Sequence, residues 1–253
     1  VHREAIKILN QLTTRIDKKW IPRDAEGMVY PNYTLDEIDF SKGNWMILAR
    51  TNKLLLNISE HFYFLGVRFT GKTNKYLPNE ILEAYQVWTR LNQGASVSAE
   101  HAQTVYKYLL VKKGHVARNF SSGKSLQNET SVNIEKLKSH HGLLIEGDWK
   151  QLDIPDQYKD YMQTLLERGD DLMKKPSIEL LTLHGSKGKE CENVCLFTDF
   201  GTEGQDEFIY RSAYENPDSE HRLFFVGATR AKENLHVMQP NSDYYYTIGE
   251  PIV

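Results

Sequence analysis

The apolar residues of this chain follow two rhythms. Trp45 to Ala49, WMILA, is a continuous apolar run of the kind a central parallel strand needs, because such a strand is covered on both faces. Ile178 to Leu183 reads as a second strand, and Asn193 to Thr198 and Asn234 to Met238 as two more. Helical spacing fills much of the rest. Ile6, Leu9, Leu12 and Ile16 make one stripe along residues 2–20, and Leu55, Ile58, Phe62 and Leu65 make another along Lys53 to Leu65, with Asn52 as its expected cap and Gly66 as its stop. Further helices are predicted over Pro78 to Leu91, Ser98 to Lys113, near Gln157 to Glu167, and from about Ser219 to Lys232. From Ile21 to Gly43, Pro, Asp and Gly punctuation predicts loop, with a short extended piece around Met28 to Tyr30.

Strands alternating with helices predict an α/β domain with a parallel sheet. Composition shifts after Asn92-Gln93-Gly94: Ala95 to Pro176 is polar and helix-prone, carries a Ser-, Asn- and Gly-rich loop at Asn119 to Thr130, and lacks runs of buried strand. The organisation expected is therefore residues 1–94 as the first part of the α/β domain, 95–176 as a mostly helical inserted subdomain, and 177–253 as the second part.

Composition narrows the class only a little. A chain of 253 residues with 40% hydrophobic content buries a substantial core. With 31 basic against 34 acidic residues it is slightly acidic, so any affinity for nucleic acid has to come from a local surface. Cys191 and Cys195 make neither a disulfide framework nor a zinc site, and are expected to be buried thiols in a reducing compartment. No run reaches the length of a membrane span and the N-terminus has no signal-peptide profile, so a soluble, cytoplasmic protein without a membrane partner is expected.

Two strings carry chemistry. Leu180 to Glu190, LLTLHGSKGKE, leaves an apolar strand for a loop holding Thr182, His184, Lys187 and Glu190, where Gly185 and Gly188 let the backbone approach a ligand and Lys187 suits an anionic one. Arg222 to Ala231, RLFFVGATRA, ends in a Thr-Arg pair on a predicted helix whose Gly227 and Ala228 permit close packing, so Arg230 is a candidate for a rigidly held guanidinium facing a phosphoryl group. The strings occur in the order and separation of motifs V and VI of the UvrD/Rep-type superfamily 1 DNA helicases, which this sequence resembles. MILARTN, Met46 to Asn52, is similar to that family's segment IVa.

The resemblance implies the second of two RecA-like motor domains, with a P-loop-NTPase-type sheet and a shortened accessory insertion. ATP with Mg²⁺ would be bound jointly with an N-terminal motor domain, and hydrolysis would drive movement along single-stranded DNA and unwinding of duplex DNA. It implies Arg230 as the catalytic residue, Glu190 on the ribose, Gly188 and Arg230 in the ATP site, and Arg50, Thr51, Asn52, Thr182, His184 and Lys187 on DNA; no metal ligand is assigned. The family's motif IV Arg is expected to lie before Val1. Lys112, Lys113, His115, Arg118 and Lys124 of the insertion are candidates to line duplex DNA, with a solvated basic helix end as the alternative.

One match is a decoy. Gly66 to Thr73, GVRFTGKT, satisfies the P-loop pattern letter for letter, but a phosphate cradle needs a buried strand before its first Gly and a helix starting at its Lys-Thr, and helical periodicity precedes Gly66. Two further readings stay open on the sequence: a self-sufficient P-loop enzyme built on this stretch, and a catalytically inactive helicase-derived module that recruits DNA or protein.

Overall fold

The computed structural model describes residues 1–15, 26–72 and 76–252. The chain forms two compact units, one of residues 1–74 with 176–253 and one of residues 75–175.

In the first unit α1 (His2–Leu9) precedes β1 (Met28–Tyr33), β2 (Trp45–Ala49) and α2 (Asn52–Phe64). The predicted helix over residues 2–20 stops early. Asn10 caps α1, and the Thr13 and Thr14 amides beyond it are taken by the Asp218 carboxylate at 2.8 and 3.1 Å, which diverts the backbone from the helical ladder. Ile16, the last residue of the predicted stripe, lies outside the described residues. Thr51, not Asn52, caps α2: its Oγ1 accepts from the Leu54 amide at 3.3 Å, and Asn52 is already the first helical residue.

The second unit contains α3 (Asn79–Asn92), β3 (Val97–Ser98), α4 (Ala99–Tyr106), β4 (Ser131–Val132), α5 (Ile134–His140) and α6 (Asp156–Glu167). It is helical, with β3 and β4 forming its two-stranded antiparallel ladder. Helix α3, which the composition shift assigned to the α/β part, belongs here: its Trp88 is buried and donates from Nε1 to the Gly147 carbonyl at 2.8 Å. The helix predicted over Ser98 to Lys113 ends at Tyr106, since the Tyr108 carbonyl accepts from the Asp153 amide and Gly114 turns the chain at a φ of 72°.

The chain returns to the first unit with β5 (Ile178–Thr182), β6 (Cys191–Leu196), α7 (Asp206–Glu215), α8 (Pro217–Ala228) and β7 (Ala231–Met238). The five-stranded sheet has the order β1-β7-β6-β2-β5, with every neighbouring pair parallel. The predicted α/β, RecA-like class is observed. All five residues of β2 are buried because both faces are covered. Met46 and Leu48 join the cluster of Ile8, Leu196, Phe224 and Ala228 on the α1 and α8 side. On the other side the Trp45 ring meets Phe40 at 5.0 Å, and Phe40 meets Phe62 of α2 at 5.1 Å. Burial of a side chain the size of Leu48 contributes about 1.5–3 kcal/mol, so the sheet centre is the rigid base on which the strand ends are held. Helix α7 lies between β6 and α8, and Pro217 at the first turn of α8 restarts the next helix, where a missing N–H costs nothing.

Candidate nucleotide and nucleic-acid site

The Met46 to Asn52 segment and the first string meet at the carboxyl ends of β2 and β5. Ala49 pairs with Thr182 in parallel register, and the Leu183 amide donates to the Ala49 carbonyl at 2.9 Å, so the turn Arg50-Thr51-Asn52 and the loop from His184 leave the sheet side by side. Strand ends at this edge are where open α/β sheets place ligands. The loop is braced from within: Thr182 Oγ1 accepts from the Gly185 amide at 3.1 Å, and the buried Ser186 hydroxyl donates to the Leu183 carbonyl at 2.7 Å. That leaves His184 and Lys187 exposed. Gly188 takes a φ of +80° with open space where a Cβ would stand, so its requirement is conformational and not steric.

Arg50 is not a free cation. Its Nε and Nη2 donate to the Glu220 carboxylate, each at 2.9 Å, and the two side chains are 22% and 10% exposed. Glu220 is the fourth residue of α8, so this helix starts on the nucleic-acid candidates and carries the second string away from them. From Glu220 to Ala228 it spans about 12 Å. Gly227 allows it to lie close to the sheet: a Cβ there would stand 2.5 Å from Leu183 Cδ2 and 3.1 Å from Leu196 Cδ1.

Arg230 lies two residues past the end of α8, not on it. The Thr229 hydroxyl donates back to the Phe225 and Val226 carbonyls, and Arg230 folds over the helix end, giving Nε to the Val226 carbonyl at 2.8 Å and Nη2 to Thr229 Oγ1 at 3.0 Å. Its Nη1 donates to the Lys189 carbonyl at 2.9 Å, and its own carbonyl accepts from the Cys191 amide at 3.0 Å. Arg230 therefore holds the residues on either side of Glu190, which the two strings bring together although 40 positions separate them. Three of the five guanidinium N–H groups are used in these bonds, leaving two for an outside acceptor. Glu190 is exposed, 3.6 Å from Lys232 Nζ, and both border a cavity of about 810 Å³ that Phe225, Thr229 and Met28 also line.

These residues fit one end of a nucleoside triphosphate: a fixed guanidinium with spare donors, an exposed carboxylate for ribose hydroxyls, and a partly apolar cavity. Among the described residues no group of three His, Cys, Asp or Glu side chains is placed to hold a metal ion.

Among the described residues the P-loop pattern forms no cradle. Helix α2 precedes Gly66, the next described helix starts at Asn79, and between them Thr70 pairs with β5, giving its amide to Ile178 and taking that of Leu180. Thr73 lies outside the described residues. Of the basic candidates in the second unit, Lys112, Arg118 and Lys124 are exposed and Lys113 pairs with Asp153. His115 is instead buried: its Nδ1 accepts from the Leu110 amide at 3.3 Å, and burial lowers its pKa.

Asp218 and Glu220 lie outside both strings, and Arg222, though it opens the second, was assigned no role from the sequence. Besides the Thr13 and Thr14 amides, Asp218 accepts from Thr14 Oγ1 at 2.6 Å, and hydrogen bonds led by this one hold its carboxyl well below the usual range. Arg222 adds a bond to the same hydroxyl at 2.7 Å. The available signal was their position: charged residues at every other step of a helix that must bury one face need partners on a neighbouring element.

Among curated proteins none matches the chain. The model of the family described as the UvrD-like helicase C-terminal domain matches residues 3–242, which includes both strings and the insertion, and the chain belongs to that family.

Proposed function

We propose that this chain is the second motor domain of an ATP-dependent DNA helicase, working with an N-terminal motor domain to couple ATP hydrolysis to movement along single-stranded DNA and to duplex unwinding. The observation that carries the reading is the path of α8. Its first turn grips Arg50 at the proposed DNA edge, and the residue two beyond its end is Arg230, which grips both sides of Glu190. A change at the nucleotide end is thereby transmitted through a packed helix to the strand ends.

In this reading Arg230 offers its two spare N–H groups to the phosphoryl group in transfer, as a cross-cleft Arg does in such motors. Glu190 bonds the ribose beside Gly188. Lys187, His184, Thr182 and the Arg50-Thr51-Asn52 turn contact the single-strand backbone, and the exposed Lys112, Arg118 and Lys124 are proposed for the duplex. ATP with Mg²⁺ supplies the driving reaction, and the phosphate cradle comes from the other motor domain.

The test uses the 253-residue chain with ATP, Mg²⁺ and single-stranded DNA. No turnover is expected, because these residues supply an Arg in trans and no cradle. DNA-stimulated hydrolysis abolished by Lys72→Ala would overturn the reading in favour of a P-loop at Gly66 to Thr73.

A further inference from the structure

Away from both strings, a cavity of about 550 Å³ opens between α2 and the segments that follow β6 and β7. Asp199 forms part of its wall and is 1% exposed. One carboxylate oxygen, Oδ1, accepts from the Asn241 and Ser242 amides at 2.7 and 2.9 Å; the other, Oδ2, is buried with no partner among the described residues. The Thr202 hydroxyl, on the same wall, is likewise buried and unpartnered. A buried carboxylate oxygen left without a donor is costly, so Oδ2 calls for a donor from outside.

We propose that this cavity is a docking pocket for the cationic side chain, Lys or Arg, of a protein partner. The exposed carboxylates Glu203 and Asp243 stand at the same cavity, so the surface attracts a cation and repels a nucleic-acid backbone. Phe197 and Tyr244 give an apolar wall for the methylene stem of a long basic residue. A metal ion is disfavoured, because no group of three ligating side chains is placed to hold one among the described residues. The walls are preformed: the Phe200 amide donates to the Tyr244 carbonyl at 3.1 Å, the Tyr246 amide to the Thr198 carbonyl at 2.9 Å, and the Ser242 hydroxyl to Asp206 at 2.6 Å. Burial pushes the Asp199 carboxyl above its ordinary pKa, and a cation against Oδ2 would reverse that shift.

The probe is acetyl-Gly-Arg-Gly-amide, titrated into the isotope-labelled 253-residue chain and followed by amide NMR, with the neutral citrulline analogue and a short oligo-dT strand as comparisons. The expected result is saturable shifts at Thr202, Asn241 and Ser242 with the Arg peptide alone. Asp199→Asn keeps an acceptor for the two amides and should weaken binding about tenfold or more. Should Asp199→Asn fail to fold, the exposed pair Glu203→Gln with Asp243→Asn should still weaken it severalfold. The proposal is overturned by equal shifts with citrulline, by unchanged affinity in either variant, or by the absence of saturable shifts, which would mean that a buried water satisfies Oδ2. Preferential response of the same amides to oligo-dT would overturn the protein partner in favour of nucleic acid.

Discussion

Arg50 and Glu220, 170 positions apart, meet in a two-bond ion pair with both N···O distances at 2.9 Å. The pair ties the end of β2 to the first turn of α8. Breaking such a pair from one side strands a largely buried charge, whereas removing both partners leaves none. Glu220→Ala and Arg50→Ala should each lower the unfolding free energy, and the double variant should lose less than the sum of the two, with a coupling of about 1–3 kcal/mol in a double-mutant cycle from urea denaturation. Strict additivity would show that the contact contributes nothing to the fold.

The same pair separates two proposed DNA contacts. Lys187 is an exposed cation, so Lys187→Ala should weaken single-strand binding and reduce the salt slope by about 0.7. Arg50 keeps N–H groups to donate, but Glu220 already offsets its charge. Arg50→Ala should therefore weaken binding with a smaller change in slope. Binding across a salt series, in protein containing both motor domains, measures both. Equal slopes for wild type and Lys187→Ala would remove Lys187 from the DNA path.

Acid should loosen the sheet through His236 of β7. Its ring stacks on Tyr30 at 4.5 Å and lies 5.3 Å from Trp45, and its Nδ1 is buried without a partner among the described residues. Burial lowers its pKa; burial also lowers that of His221, outweighing the opposite pull of Asp218 and Glu220. The unfolded chain takes up a proton near about pH 6.5, while the folded chain resists until lower pH. Their contribution to stability is thus complete above about pH 6.5 and is lost as pH falls from there through the folded pKa values. His236→Phe, which binds no proton, should flatten the fall in thermal midpoint between about pH 7.5 and 5.5. A slope equal to that of wild type would exclude His236 as a contributor.

What was legible in the sequence is what local pattern encodes. WMILA announces a strand covered on both faces because no polar residue interrupts it, and the stripe of Leu55, Ile58 and Phe62 fixes the inward face of α2. The two strings marked the loop and the Arg as candidates by their glycines, Lys and Arg, and the structure brings the ends of the two strings together at Lys189 and Arg230. Long-range polar pairing was not legible: nothing local marks Glu220 as the partner of Arg50, or Asp218 as the acceptor for the Thr13 amide beyond α1. Boundaries set by such bonds moved accordingly. Arg230 stands beyond the helix it was read on because the Thr229 hydroxyl turns back on the helix end, and His115 is buried where charge patterning alone placed it among surface cations.

Arg230 is proposed to stabilise the phosphoryl group in transfer. Arg230→Lys in protein containing both motor domains tests it most directly, because an ammonium keeps the charge but neither the three anchoring bonds nor the planar fork. DNA-stimulated ATP turnover should fall about 10³-fold or more, with folding and single-strand affinity kept close to wild type. Near-normal turnover in Arg230→Lys would contradict the account and leave Arg230 as a structural clasp at the end of α8.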